Sequence, residues 1–381
     1  MPELADLFLL RPEVTYLNHG SFGACPRPVF EKYQALQREL EAEPVEFLFR
    51  RIDSLLGTAR ADLAAFVGAS ADDLVYVSNA TTGANIVARS LPLGKDDEVL
   101  TTDHEYGAMN RMWRFVCARR GARYVECALP LPVASDEEIV DRIWSAVTAQ
   151  TRVLFLSHIT SSTALTMPVR ALAHRARAAG IITLIDGAHA PGQIPLHIDA
   201  LGADFYVANC HKWMMAPKGA AFVHARRPMQ HLVKPLVVSW GREDTTPGPS
   251  PFVSELEWQG TRDIAPFLAV SAAIRFMADH DWDRVRTACR GLVLDAREKI
   301  AALTGLGQIT PDGKEWISQM SSIPLPACDT QKLQRELFDR FGVEIPCIAW
   351  KDRCFVRISV QGYNTPAHVD RLVDALGTLL A

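Results

Sequence analysis

The stretch "YVANCHKWMMAPKGAAFVHA", Tyr206 to Ala225, runs apolar, breaks at Asn-Cys-His-Lys and turns apolar again. It sets Lys212 where an ammonium is costly to desolvate. A lysine partly stripped of water loses proton affinity and becomes a nucleophilic amine. One strand earlier, "IITLIDGAHAPG" ends an apolar run on Asp186. An aspartate in that position is often a helix cap or loop residue, but it can equally pair with a protonated ring nitrogen. Lys218, in "APKG", competes with Lys212 for the role of reactive amine.

A Schiff-base lysine with an aspartate partner is how proteins hold pyridoxal phosphate. Such a cofactor needs a phosphate site, and "SNATTGAN" offers one between a strand and a helix. There Ala80, Thr81 and Thr82 would present backbone N–H groups and hydroxyls at a helix N-terminus. The plain alternative is a Ser/Thr cap. Thr261, beside Gly260 in "WQGTRD", lies where backbone can approach an anion closely.

These residues need a frame. From Asp72 to Ala225, seven β-rich runs ("DLVYVS", "DEVLTT", "ARYVEC", "TRVLFLSHI", "IITLIDG", "ADFYVAN", "GAAFVHA") alternate with helix-like segments such as Thr82–Ser90, Gly107–Arg120, Asp136–Ala149 and Arg170–Ala179. Strands apolar on both faces, alternating with helices, predict an α/β fold with a mainly parallel seven-stranded sheet covered on both sides. Ligands then bind beyond the carboxyl ends of the strands. "SNATTG", "DHEYG", "SHITSST", "DGAHA" and "NCHKW" all fall on that edge. After the loop-rich "GREDTTPGPSPF", helices over Pro266–Phe276, Asp281–Thr304, Thr330–Phe341 and Thr365–Leu380 surround the strand-like "SSIPLP", "VEIPCIAW" and "CFVRISV". A boundary near Asp263 separates a large cofactor-binding α/β domain, residues 15–262, from a small α+β domain, residues 263–381, with which residues 1–14 are expected to pack.

Composition sets limits on partners. The 381 residues are 48% hydrophobic and 22% charged, with a net charge of −4, so there is no basic stripe for nucleic acid. "MPELADLFLLRPE" carries Glu3 and Asp6 and is not a secretory signal. No apolar run approaches the ~18 residues of a membrane span, and a cytoplasmic enzyme is expected. The eight cysteines form no CxxC pair, and no metal site is expected.

Together "TLIDGAHA", "NCHKWMMAPKG", "NATTGAN" and "VRISVQGYNT" resemble the class V branch of the fold-type I pyridoxal-phosphate enzymes. "TYLNHGSFGACPRPV", "DHEYGA" and "EWQGTRD" resemble more narrowly its isopenicillin N epimerase-like group, with motifs in order from Thr15 to Leu380. The resemblance implies that Lys212 binds the cofactor and moves the Cα proton while Asp186 keeps the ring nitrogen protonated. It also implies that His104 stacks on the ring and His189 lies near its phenolic oxygen. Thr81, Thr82 and His211 would hold the phosphate, and Thr261 would reach that of a neighbouring subunit, giving a homodimer with shared sites. Arg357 in "FVRIS" would take the substrate carboxylate as a bidentate pair.

Two departures stand out. Ser161 occupies a position where many relatives carry an asparagine facing the ring oxygen. Cys347, between Pro346 and Ile348, looks like a wall residue and not the nucleophile of a desulfurase. Cα–H activation leads to epimerisation, β-elimination at a C–S bond or transamination. Tyr106 is the candidate second acid/base, and the same hydroxyl would serve a lyase. Asn18, His19 and the rest of "NHGSFG", with Trp350 and Phe47–Arg51, are expected to line the side-chain pocket for a small amino-acid substrate. An inactive scaffold that kept the fold is the non-enzyme alternative.

Overall fold

The structure is a computed structural model that describes residues 2–242 and 250–380; part of the loop-rich stretch after Gly241 lies outside the described residues. Strand β1 (Thr15–Tyr16) precedes the seven strands of the main sheet. These are β2 (Leu74–Val77), β3 (Glu98–Thr102), β4 (Arg123–Cys127), β5 (Thr151–Ser157), β6 (Ile182–Asp186), β7 (Phe205–Asn209) and β8 (Ala221–Ala225). Their order is β2-β8-β7-β6-β5-β3-β4, and only β8 runs against its neighbours. All seven apolar runs are strands.

Both faces of the sheet are buried, which is why the runs lack alternation. Val75, Val77, Phe155, Phe205 and Val223 face one core, shared with helices Ala80–Ser90 and Gly107–Arg120. Leu74, Tyr76, Leu154, Leu156, Tyr206 and Phe222 face the other, shared with helices Arg27–Ala42, Ile52–Val67 and Val169–Ala178. Edge strand β4 alone leaves several residues partly exposed.

The second sheet is antiparallel, β11-β12-β9, built from β9 (Met320–Leu325), β11 (Cys347–Trp350) and β12 (Arg353–Ser359). "VEIPCIAW" is not one strand. Pro346 has no N–H to continue a ladder, so β10 (Val343–Glu344) separates from β11 and pairs with β1 in parallel. Helices Trp282–Thr304, Thr330–Phe341 and Pro366–Leu380 pack here. Phe8 meets Tyr363 edge-on with ring centroids 4.8 Å apart, tying the first residues to the same region. The segment expected as one helix over Pro266–Phe276 is two, Ala265–Leu268 and Val270–Asp279, lying on the helices Arg27–Ala42 and Ile52–Val67. The helix begun at Asp136 ends at Ser145.

Arg60 and Glu257, each under a tenth exposed, form an ion pair of 2.5 Å between helices Ile52–Val67 and Pro251–Glu257. Removing one member of such a pair leaves a buried charge unmatched. Glu257→Ala is therefore expected to cost about 3–5 kcal/mol in urea unfolding, and Glu257→Gln, which keeps an acceptor for Arg60, less.

Candidate active site

Parallel strands bring their carboxyl ends to one edge. Ser157 on β5 lies beside Asp186 on β6, which lies beside Val207 on β7. The β7–β8 connection returns over the same edge and carries Lys212. A cavity of about 160 Å3 opens there, with walls from all five polar strand ends and from Ser21 and Phe22.

The lysine loop is rigidly mounted. Met215 N–H donates to the Lys212 carbonyl at 3.0 Å and Ala216 N–H to that of Cys210 at 3.1 Å. Residue 23 must be glycine, because its φ is +70° and a Cβ would lie 2.0 Å from the His211 carbonyl oxygen. Lys212 is partly exposed as a residue, but its amine lies deep. Burial, with Arg357 nearby, lowers its pKa to about 8, and Asp186 opposes the shift. Nζ lies 3.2 Å from His189 Nε2. Lys218 is instead spent on the Gly23 carbonyl at 3.0 Å, so Lys212 is the amine in the cavity.

Asp186 is buried, which pushes its carboxyl pKa up, while the Ala188 N–H, donating at 2.9 Å, and Lys212 favour the charged form. Gly187 lies flat on Tyr206, where a Cβ would come within 2.1 Å of the ring. Glu105 is buried beneath, accepting from Ser157 N–H at 2.9 Å and Thr102 Oγ1 at 2.8 Å. Burial raises its pKa to about 7.

At the first turn of helix Ala80–Ser90 the expected three N–H donors reduce to one. Ala80 N–H donates to Asn209 Oδ1 at 2.9 Å, and Thr82 N–H to the capping Asn79 Oδ1 at 2.8 Å. The Thr82 hydroxyl also turns to Asn79, at 3.1 Å. Thr81 lines the cavity with its N–H and hydroxyl uncommitted among the described residues, at the positive end of the helix dipole. His211 faces the same cup; its Nδ1 donates to the Ala220 carbonyl at 3.1 Å, leaving Nε2 toward the cavity.

Arg357, central in β12 and only 5% exposed, has no carboxylate within ion-pair range among the described residues. One Nη donates to the Ser161 carbonyl at 2.7 Å and Oγ at 3.2 Å, the other to Ser21 Oγ at 2.9 Å. Its Nε has no hydrogen-bond partner among the described residues. A buried guanidinium with an idle donor fits an incoming carboxylate. Ser161 and Ser21, both on the cavity wall, thus serve as mounts for Arg357, which itself lies behind the lining.

Several expected residues lie elsewhere. His104 cannot stack in the cavity: its ring is fully buried, bonded to the Leu129 carbonyl and to Thr163 Oγ1, each at 2.8 Å. Trp350 lies on that ring at 4.4 Å and donates to the Asp103 carbonyl, behind the wall. Tyr106, two residues on, is the one of the pair that lines the cavity. His19 does not line it either; its Nε2 holds the Lys212 carbonyl at 3.0 Å and its Nδ1 meets the Tyr363 hydroxyl at 3.0 Å. Asn18 braces Glu344 and Ser21. Phe47 is core, and the turn Glu46–Arg50 packs on helices away from the cavity. Thr261 is exposed, outside this chain's cavity. Missed from the sequence were Asn209, Ser157 and Ser21. The first two are polar residues closing apolar strands at the right edge, a signal already present in "FYVAN" and "FLS".

An amine of lowered basicity beside a buried carboxylate, an anion cup at a helix N-terminus and an arginine without a carboxylate partner fit pyridoxal 5'-phosphate. Lys212 and Asp186 would hold its ring, Thr81 and His211 its phosphate. Fold and site define a pyridoxal-phosphate-dependent enzyme of fold type I. The aminotransferase class-V family profile matches residues 16–372, and the chain belongs to that family. It is 37% identical to an isopenicillin N epimerase of Amycolatopsis lactamdurans, over 97% of this chain and 96% of that one. It is 30% identical to a putative L-cysteine desulfhydrase of Oryza sativa subsp. japonica, over 97% of this chain and 83% of that one. The structure superposes on a lysine-to-alanine mutant of the cystine C–S lyase C-DES, solved with glycine covalently linked to its PLP cofactor, with TM-score 0.82, 19% identity and coverage of 96% and 97% of the two chains.

The buried amine makes stability depend on pH. Below about 8 Lys212 is protonated both folded and unfolded, and the folded state carries the full desolvation penalty. Between about 8 and 10.5 the unfolded chain binds the extra proton, so stability rises with pH. In the cofactor-free protein, Lys212→Met is expected to unfold later than wild type at neutral pH, by roughly 3 kcal/mol. Urea titrations should show that gap closing by about pH 10.5.

Proposed function

We propose that this protein inverts the Cα centre of an amino acid or amino-acid-derived substrate, as an epimerase of the isopenicillin N epimerase-like group. The observation that carries this reading is that two proton carriers, Lys212 and Tyr106, line the same cavity whose mount for Arg357 has no protein carboxylate. When bound, pyridoxal phosphate supplies an electron sink that acidifies the Cα–H bond. Lys212 would hold the cofactor, and its amine would remove the Cα proton. Tyr106 returns one to the other face. Arg357 takes the substrate carboxylate through Nε and one Nη, as a bidentate pair. Asp186 keeps a proton at the ring nitrogen. His211, on the wall beside Thr81, would hold the phosphate through its cavity-facing nitrogen.

A C–S lyase is the second reading, favoured by the likeness to the rice desulfhydrase; Tyr106 would then protonate the departing sulfur. Desulfurase chemistry fits poorly, because Cys347 is buried on β11 with its pKa pushed up to about 12 and lies off the cavity wall. No helix among the described residues is long and apolar enough to cross a membrane. A homodimer in the cytoplasm belongs to the same proposal. It is supported by Thr261 lying exposed, by Phe22 and Trp240 standing 69% and 85% exposed, and by eight free cysteines. So does the division into residues 15–262 and 263–381, supported by the separate sheet that carries Arg357.

The test is to incubate the cofactor-loaded protein with a panel of amino acids in heavy water. Deuterium at Cα with optical inversion and no keto acid or ammonia is expected; release of pyruvate-like products would mean a lyase. Tyr106→Phe should lower inversion by about 10²–10⁴-fold while Cα exchange persists. Lys212→Ala should abolish both.

A further inference from the structure

Trp213 follows Lys212 in the chain, and its indole is wholly buried against Ile159, Ala164 and Met320. An indole N–H can only donate, and this one donates to His189 Nδ1 at 3.2 Å. Nδ1 must therefore offer a lone pair. A neutral imidazole carries one N–H, so the proton sits on Nε2, which is 3.2 Å from Lys212 Nζ. Burial, with Lys212 and Arg357 close by, keeps His189 well below its usual range, so the doubly protonated ring is not the alternative. An ammonium has three donors and no acceptor. Facing the Nε2–H it would set donor against donor; a neutral amine accepts.

We propose that Trp213 is a positioning residue: by fixing His189 as the Nε2-protonated tautomer, it faces Lys212 with a donor and so favours the free amine over the ammonium. The inference rests on Lys212 being the cofactor-binding amine. The other charged or titratable groups facing Lys212 are Asp186, Arg357, His211 and Tyr106, with Lys218 on the same loop. None of them carries a donor onto His189 Nδ1.

Two measurements on the cofactor-free protein test it. Nitrogen-15 spectra of histidine-labelled wild type, with His189 assigned through His189→Gln, should show the Nε2-protonated pattern. An Nδ1-protonated ring or a mixture overturns the proposal. Competitive reductive methylation of Lys212 across pH ~6–10, read by mass spectrometry, should shift its midpoint upward by about one unit or more in Trp213→Phe, slowing reaction near neutral pH about tenfold. An unchanged midpoint in a variant that melts like wild type overturns it. Should Trp213→Phe fail to fold, the wild-type tautomer decides. Uptake of pyridoxal phosphate by wild type, read as a visible band lost in Lys212→Ala, is followed in parallel. Its absence would defeat the assignment of Lys212 and leave the tautomer result standing.

Discussion

The 3.2 Å contact between Lys212 Nζ and His189 Nε2 is where the demands on this molecule meet. An amine must be dry enough to shed its proton yet close enough to Asp186 and Arg357 to share their work. Desolvation alone would favour hiding it entirely; function requires an opening. The compromise is a lysine, mounted on a rigid loop, whose tip ends beside neutral His189, with the opposite charges of Asp186 and Arg357 nearby. The Lys212 carbonyl accepts from His19 and the Met215 N–H, the Cys210 carbonyl from the Ala216 N–H, and the Cys210 and His211 N–H groups donate to the Ala220 carbonyl, so little of the loop's geometry is left to chance.

The sheet makes that compromise possible. Five strands pointing the same way bring five polar ends together, and the antiparallel β8 lets the lysine loop fold back over them. Arg357 comes from a different sheet, so the carboxylate mount and the amine are set by separate parts of the fold. Ser161 and Ser21 join them, one from the β5 end and one from the N-terminal segment.

The main sheet was legible because strands buried on both faces leave continuous apolar runs. Lys212 and Asp186 were legible because a charge directly after such a run has few structural excuses. What the sequence concealed was direction. His104 and Tyr106 are two residues apart on one loop, and only the Leu129 carbonyl and Thr163, distant in the chain, decide which turns inward. Ala80 and Thr82 looked like free donors until Asn209 and Asn79 claimed their N–H groups. Trp213 read as one more apolar residue, since no pattern reveals where an indole N–H points. His19 and Trp350 were placed in the right neighbourhood but one layer behind the cavity.

His19 holds the Lys212 carbonyl on one side of its ring and the Tyr363 hydroxyl on the other. One imidazole thus joins three stretches far apart in the chain: the segment after β1, the lysine loop and the segment after β12. A displacement of Tyr363 would pass through that single ring to the backbone of Lys212, so the small sheet's surroundings and the reactive loop are mechanically coupled.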